Sequence, residues 1–217
     1  MNHVPALPPF ALQRSGAPRR PRVRRGRRGW ALLWLGWLWL LCGAALAQTS
    51  PAPAERPPAL LADAAGSVAL WPAITLWADA SAQATPEQAL AQLPAFEAPK
   101  AGSTLGVRQD AVWLYASVAV DPASAGRWTL DINHPDLNRI DVYVLQGSRL
   151  LRHVALGTEI PRTERPLRVR TPAVELALQP GQRYALLLRV QTRGAMILPI
   201  TLNTPPAMLE RALNEHI

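Results

Sequence analysis

Cysteine occurs once in these 217 residues, at Cys42, and acidic side chains are missing altogether from positions 1 to 47. From Gln48 onward there is no thiol, so the body of the chain is not held by disulfides. His134 and His153 stand 19 residues apart with no cysteine and no spaced His/Asp/Glu set beside them, which leaves a metal site without ligands. No phosphate-cradling glycine loop, no nucleophile elbow and no interleaving of basic with aromatic residues is present. Nucleotide chemistry, serine-type hydrolysis and nucleic-acid binding therefore have no motif to carry them. Asp131, Asp136 and Asp141 bracket a turn, where carboxylates serve commonly as caps and turn formers rather than as a glycosidase pair. Neither a catalytic residue nor a cofactor is expected.

The missing acids decide how the charge is read. Eight arginines fall between Arg14 and Arg28, and without them the total of 23 basic residues drops to 15, matched by 15 acidic ones. The body is neutral, and the high overall pI is a property of the leader. That leader has a basic stretch ending at Arg28, an apolar core from Trp30 to Leu41, and small residues closing on Ala45-Leu46-Ala47. The core has the length of a signal peptide and is shorter than the roughly 20 residues of a membrane span. Residues 1–47 are thus read as a signal peptide cleaved before Gln48. The alternative is an uncleaved signal anchor, since 18 uncharged residues run from Trp30 to Ala47. Either way the body is exported, to the periplasm or the extracytoplasmic face of the inner membrane.

Residues 48–66 read as a linker, Pro/Ala-rich through Pro58, and most order is expected from Thr104 onward. Val68 to Ala78 reads as a first strand pair or edge segment. A helical patch is expected from Pro86 to Leu93, with Thr85 as cap and Gln88 three residues on. Period-two alternation then dominates: Val112, Leu114, Ala116 and Val118 against Trp113, Tyr115 and Ser117; Trp128, Leu130 and Ile132 against Thr129 and Asp131; Ile140, Val142 and Val144 against Asp141 and Tyr143. The stretch from Tyr184 to Gln191 alternates in the same way. Turn signals such as Asp121-Pro122, His134-Pro135-Asp136 and Gln146-Gly147-Ser148 separate these runs. Shorter strands at Leu150 to Leu156, Leu167 to Arg170, Ala173 to Leu178 and Met196 to Asn203 bring the count to roughly eight, which fits an all-β antiparallel β-sandwich or jelly roll over residues 67–204. Residues 205–217 form a short helix with Leu209, Leu213 and Ile217 on one stripe. With the core complete by Asn203, that helix is expected to add little stability.

Strand parity places Trp113, Tyr115, Thr129, Asp131, Asp141, Tyr143, Arg189 and Gln191 opposite the core face. Aromatic rings beside carboxylates and a guanidinium suit a small polar, carbohydrate-like ligand, offering a ring face for its apolar side and bidentate groups for adjacent hydroxyls. The competing reading makes them cross-strand pairs, Asp131 or Asp141 against Arg189, on an ordinary second face. A second cluster, Arg162, Arg165, Arg168 and Arg170, puts four cations within nine residues. It either receives a carboxylate or phosphate, or is neutralised by Glu159 and Glu164 among it.

The stretches Ala111 to Tyr115, Arg127 to Ile132 and Pro135 to Tyr143, followed by Gly157, Arg165-Pro166, Leu187 to Thr192 and Leu198-Pro199, occur in an order that resembles the type-2 extracellular module of bacterial seven-transmembrane receptors with diverse intracellular signalling modules. The resemblance implies a carbohydrate-binding-like jelly roll in the periplasm, followed by seven membrane helices and a cytoplasmic signalling enzyme. Under it, the chain is a ligand-sensing domain that stops before the membrane region, and residues 205–217 are the lead-in to it. The alternative is a secreted stand-alone carbohydrate-binding protein without catalysis. Contact with the membrane comes through the signal anchor or the missing helices; no nucleic-acid partner is expected, and the sequence does not set the oligomeric state.

Overall fold

The computed structural model of the protein describes residues 56–100 and 102–214. The signal segment and the first part of the linker lie outside the described residues. Among the described residues twelve strands and two α-helices follow in order. The first half holds β1 (Ala59–Leu61), β2 (Ser67–Ala69), β3 (Ile74–Asp79), α1 (Pro86–Ala91), β4 (Thr104–Val107), β5 (Ala111–Val120) and β6 (Arg127–Ile132). The second holds β7 (Arg139–Gln146), β8 (Arg149–Leu156), β9 (Ala173–Ala177), β10 (Arg183–Gln191), β11 (Ala195–Ile197), β12 (Ile200–Asn203) and α2 (Pro205–Asn214).

Alternation along the strands makes the sandwich. A six-stranded sheet runs β1-β5-β10-β7-β8, with β3 also paired to β5, and a four-stranded sheet runs β2-β12-β6-β9. All the pairings are antiparallel except that of β1, which lies parallel to Val118–Val120 of β5. The inward residues are those on the apolar face of each strand: Val112, Leu114, Ala116 and Val118 of β5, Leu186 and Leu188 of β10, and Trp128, Leu130 and Ile132 of β6 share one buried core. The all-β sandwich expected from the period-two pattern is the observed fold. A two-residue turn joins β7 to β8, with Gly147 at φ +60° supplying the left-handed conformation that such a hairpin turn needs.

Three features differ from the sequence-based expectation. Order begins well before Thr104: β1 lies inside the stretch read as a linker, where its backbone adds an edge to β5. Val68 to Ala78 supplies edge strands, as one of the two expected alternatives had it, and not a pair: β2 lies at the edge of the four-stranded sheet beside β12, while β3 joins the six-stranded sheet through β5 alone. A 3-10 turn at Trp71–Ala73, with Pro72 inside it, switches the chain between layers. Leu167 to Arg170 is a bend rather than a strand, and the segment Met196 to Asn203 is divided by Leu198-Pro199 into β11 and β12. The helical patch does form, and α1 carries the expected capping box, Thr85 Oγ1 accepting from Gln88 N and Gln88 Oε1 accepting from Thr85 N.

Candidate functional site

Strand register sets the outer face of the six-stranded sheet. Trp77, Trp113, Arg189 and Asp141 form one row across β3, β5, β10 and β7; Thr75, Tyr115, Leu187, Tyr143 and His153 form the next. The sheet does not present these rows to solvent as a whole. The segment carrying α1 lays Ala89, Leu90, Leu93 and Phe96 over Trp77, Trp113 and Leu187, making a second, smaller apolar core. Trp113 is fully buried there, and its indole Nε1 has no hydrogen-bond partner among the described residues. Its ring stacks on Tyr143 at 6.0 Å, and Tyr143 in turn lies on His153 at 4.4 Å with the planes 8° apart.

At the margin of this cap the polar side chains satisfy one another. Arg139 grips Asp141 through two hydrogen bonds of 3.0 and 2.7 Å, and His153 Nε2 lies 2.9 Å from the same carboxylate. Burial pushes the Asp141 carboxyl up, but the hydrogen bonds from Arg139 and His153 outweigh it and hold the group below its ordinary value. Burial and the adjacent Asp141 charge push the Tyr143 phenol up. Arg189 donates to the carbonyl of Ala82 at 2.7 Å and to Gln191 Oε1 at 2.9 Å. Asp141 and Arg189 are register neighbours, yet each is engaged elsewhere, so the expected Asp–Arg cross-strand pair does not form.

The structure thus divides the predicted site residues among three places. Trp113, Tyr115, Asp141, Tyr143, Arg189 and Gln191 share the outer face of the six-stranded sheet. Asp131 lies on β6, in the other sheet. Arg165 lies in the loop between β8 and β9.

That loop, residues 157–172, lines an open concavity at one end of the sandwich. It starts at Gly157, whose φ of +109° and close approach to the carbonyls of Leu137 and Asn138 leave no room for a Cβ, which would stand 2.3 Å from the Asn138 oxygen. Thr158 N and Glu159 N then bond to those same two carbonyls at 2.8 and 3.0 Å. Asn138 is the hub that sequence reasoning missed: its side chain accepts from Thr192 Oγ1 and Arg193 N and donates to Thr158 Oγ1, tying three loops together. Nothing in the sequence separates this asparagine from an ordinary turn former.

Between Pro135-Asp136 on one side and Arg162, Arg165, Arg168 and Arg170 on the other, the loop encloses an open groove of about 780 Å³. Arg165 is held in place by its Nε, which donates to the Ile160 carbonyl at 3.0 Å. The expected neutralisation by local glutamates does not occur. Glu159 faces Arg193 at 3.9 Å instead, and none of the four loop arginines makes an ion pair among the described residues.

The loop returns to the sandwich through Asp131. This carboxylate is fully buried, accepts from Thr171 Oγ1 at 2.5 Å at the end of the loop, and is met on its other oxygen by Arg211 Nη1 from α2. Neither partner was legible from sequence, because residues 40 and 80 positions away have no local signal. Ala207, Met208 and Arg211 face the domain, while Leu209 and Leu213 remain 62% and 60% exposed. Arg211 thus ties the helix to Asp131, while Leu209 and Leu213 stay uncovered among the described residues.

Residues 72–204 match the family model described as 7TMR-DISM extracellular 2. The match spans β3 through β12 and so includes the arginine loop and Asp131; β1, β2 and α2 lie outside it. No curated protein matches the chain.

Proposed function

The chain belongs to the 7TMR-DISM extracellular 2 family, the extracytoplasmic sensory domains of that receptor class, and from this premise we propose that it binds a small polar molecule without turnover and reports its presence through α2. The single observation supporting the reading is the buried carboxylate of Asp131, held by Thr171 from the arginine loop and by Arg211 from α2. A charge without access to water responds strongly to loss or displacement of either partner. A shift of loop 157–172 is therefore felt at α2 through the Arg211–Asp131 pair. The domain then has a receiving end and a reporting end, joined by one residue. The outer face around Trp113 serves a structural role in this scheme, because α1 covers it.

Hydrogen exchange of the α2 amides in Thr171→Val tests the coupling without any ligand. Thr171 bonds to Asp131 and not to α2, so faster exchange along Pro205–Asn214 with unchanged exchange in β5 and β10 is the expected result. Unaltered protection of α2 would remove the proposed link.

A further inference from the structure

We infer that the groove of loop 157–172 is a binding site for a small multivalent oxyanion, a polycarboxylate or an organic phosphate. The inference rests on the sensing role proposed above and gives that role its ligand class. Four guanidinium groups line one groove, with Asp136 as the only acid in its lining among the described residues, so its lining is strongly positive although the body of the protein is neutral. Like charges this close repel unless something neutralises them. The two glutamates of the loop do not: one is turned to Arg193, and neither pairs with these arginines. Arginine's planar fork matches carboxylate and phosphate oxygens two at a time, which a scattered solvated charge has no need to do.

The site is also pre-formed. Gly157 locks one end of the loop against the β6–β7 turn, Thr171 fastens the other end to Asp131, and Arg165 is pinned from within. Ordering costs that a flexible basic tail would meet on binding are already met in the folded loop. The volume lies in the range of small-molecule sites, and its concavity suits a compact solute better than a flat anionic membrane. Among the described residues no aromatic ring lines it, so a neutral sugar would find no plane to stack on there. Asp136 adds an acceptor for a ligand hydroxyl and discourages an unbroken anionic surface.

Calorimetric titration of the full chain with citrate, fructose 1,6-bisphosphate and glucose tests this. Citrate or the bisphosphate, or both, are expected to bind, more weakly as salt is added, with no heat from glucose. The tighter of the two anions tells carboxylate from phosphate. The double variant Arg168→Ala/Arg170→Ala is expected to lower that affinity about tenfold or more with an unchanged thermal midpoint, both side chains being exposed. Preference for glucose, no binding of either anion, equal binding by the double variant, or capture by anionic phospholipid vesicles in place of the soluble anions would each overturn the site. Anion binding that leaves α2 exchange unaltered keeps the site and removes the sensing role instead.

Discussion

Arg211 of α2 meets Asp131 of β6, a carboxylate with no exposed surface, across 80 residues of chain. The contact ties the C-terminal helix to the domain through charge rather than core packing: as expected, the apolar core ends before Asn203, at Leu202, and α2 buries no side chain of its own among the described residues. Arg211→Ala leaves Asp131 buried with Thr171 as its remaining side-chain partner. Removing one partner of a buried pair typically costs about 3–5 kcal/mol, and the partial exposure of Arg211 places this case near about 3 kcal/mol. Chemical denaturation checks it; a change within about 0.5 kcal/mol, usual for a surface substitution, would show that the pair contributes nothing.

Trp113 separates a core role from a ligand-contacting one. Its ring fills the space between the sheet and α1, while its indole N–H is buried without a partner. Trp113→Ala is expected to cost about 3–5 kcal/mol through loss of packing. Trp113→Phe removes the unsatisfied donor and keeps most of the ring, so its stability should lie close to that of the parent. A Phe variant as damaging as the Ala variant would mean that the indole N–H has a partner the packing does not reveal.

Acid should loosen the domain at identifiable points. Hydrogen bonds hold Asp63 and Asp110 below the ordinary aspartate value; burial pushes Asp79 and Asp141 up, but their hydrogen bonds outweigh it and hold them below that value too. For a depressed carboxylate the contribution to stability is complete above the unfolded value of about 3.9 and is lost as pH falls through the folded one. The denaturation midpoint is therefore expected to hold steady down to about pH 5 and to decline below about pH 4. Asp141→Asn should flatten part of that decline, and an acid profile identical to the parent's would detach Asp141 from it.

The strands were legible because alternation is a local, repeated signal. The inward faces of β5, β6, β7 and β10 are the apolar faces read from Val112, Trp128, Ile140 and Tyr184 onward. The site was less so. Parity correctly put Trp113 and Asp131 opposite the core, but parity cannot say that α1 folds back over one sheet, nor that β6 and β7 belong to different sheets. The arginine cluster was visible as composition, whereas its lack of acidic partners depends on where Glu159 points, which only the folded loop decides. Family resemblance read from short motifs between Ala111 and Pro199 fared better, since it draws on many positions at once and the family match covers them.

The distance between α2 and the sandwich, read by pulsed electron resonance with and without citrate, tests the central claim most directly. Spin labels at Glu175→Cys on β9 and Leu213→Cys on α2, in a Cys42→Ser background that removes the one native thiol, report on the two sides of Asp131. Saturating citrate is expected to shift or broaden the distance distribution, and Arg168→Ala/Arg170→Ala to abolish the change. A distribution that stays the same while citrate demonstrably occupies the groove would contradict the account, because the domain would then bind its ligand without telling α2.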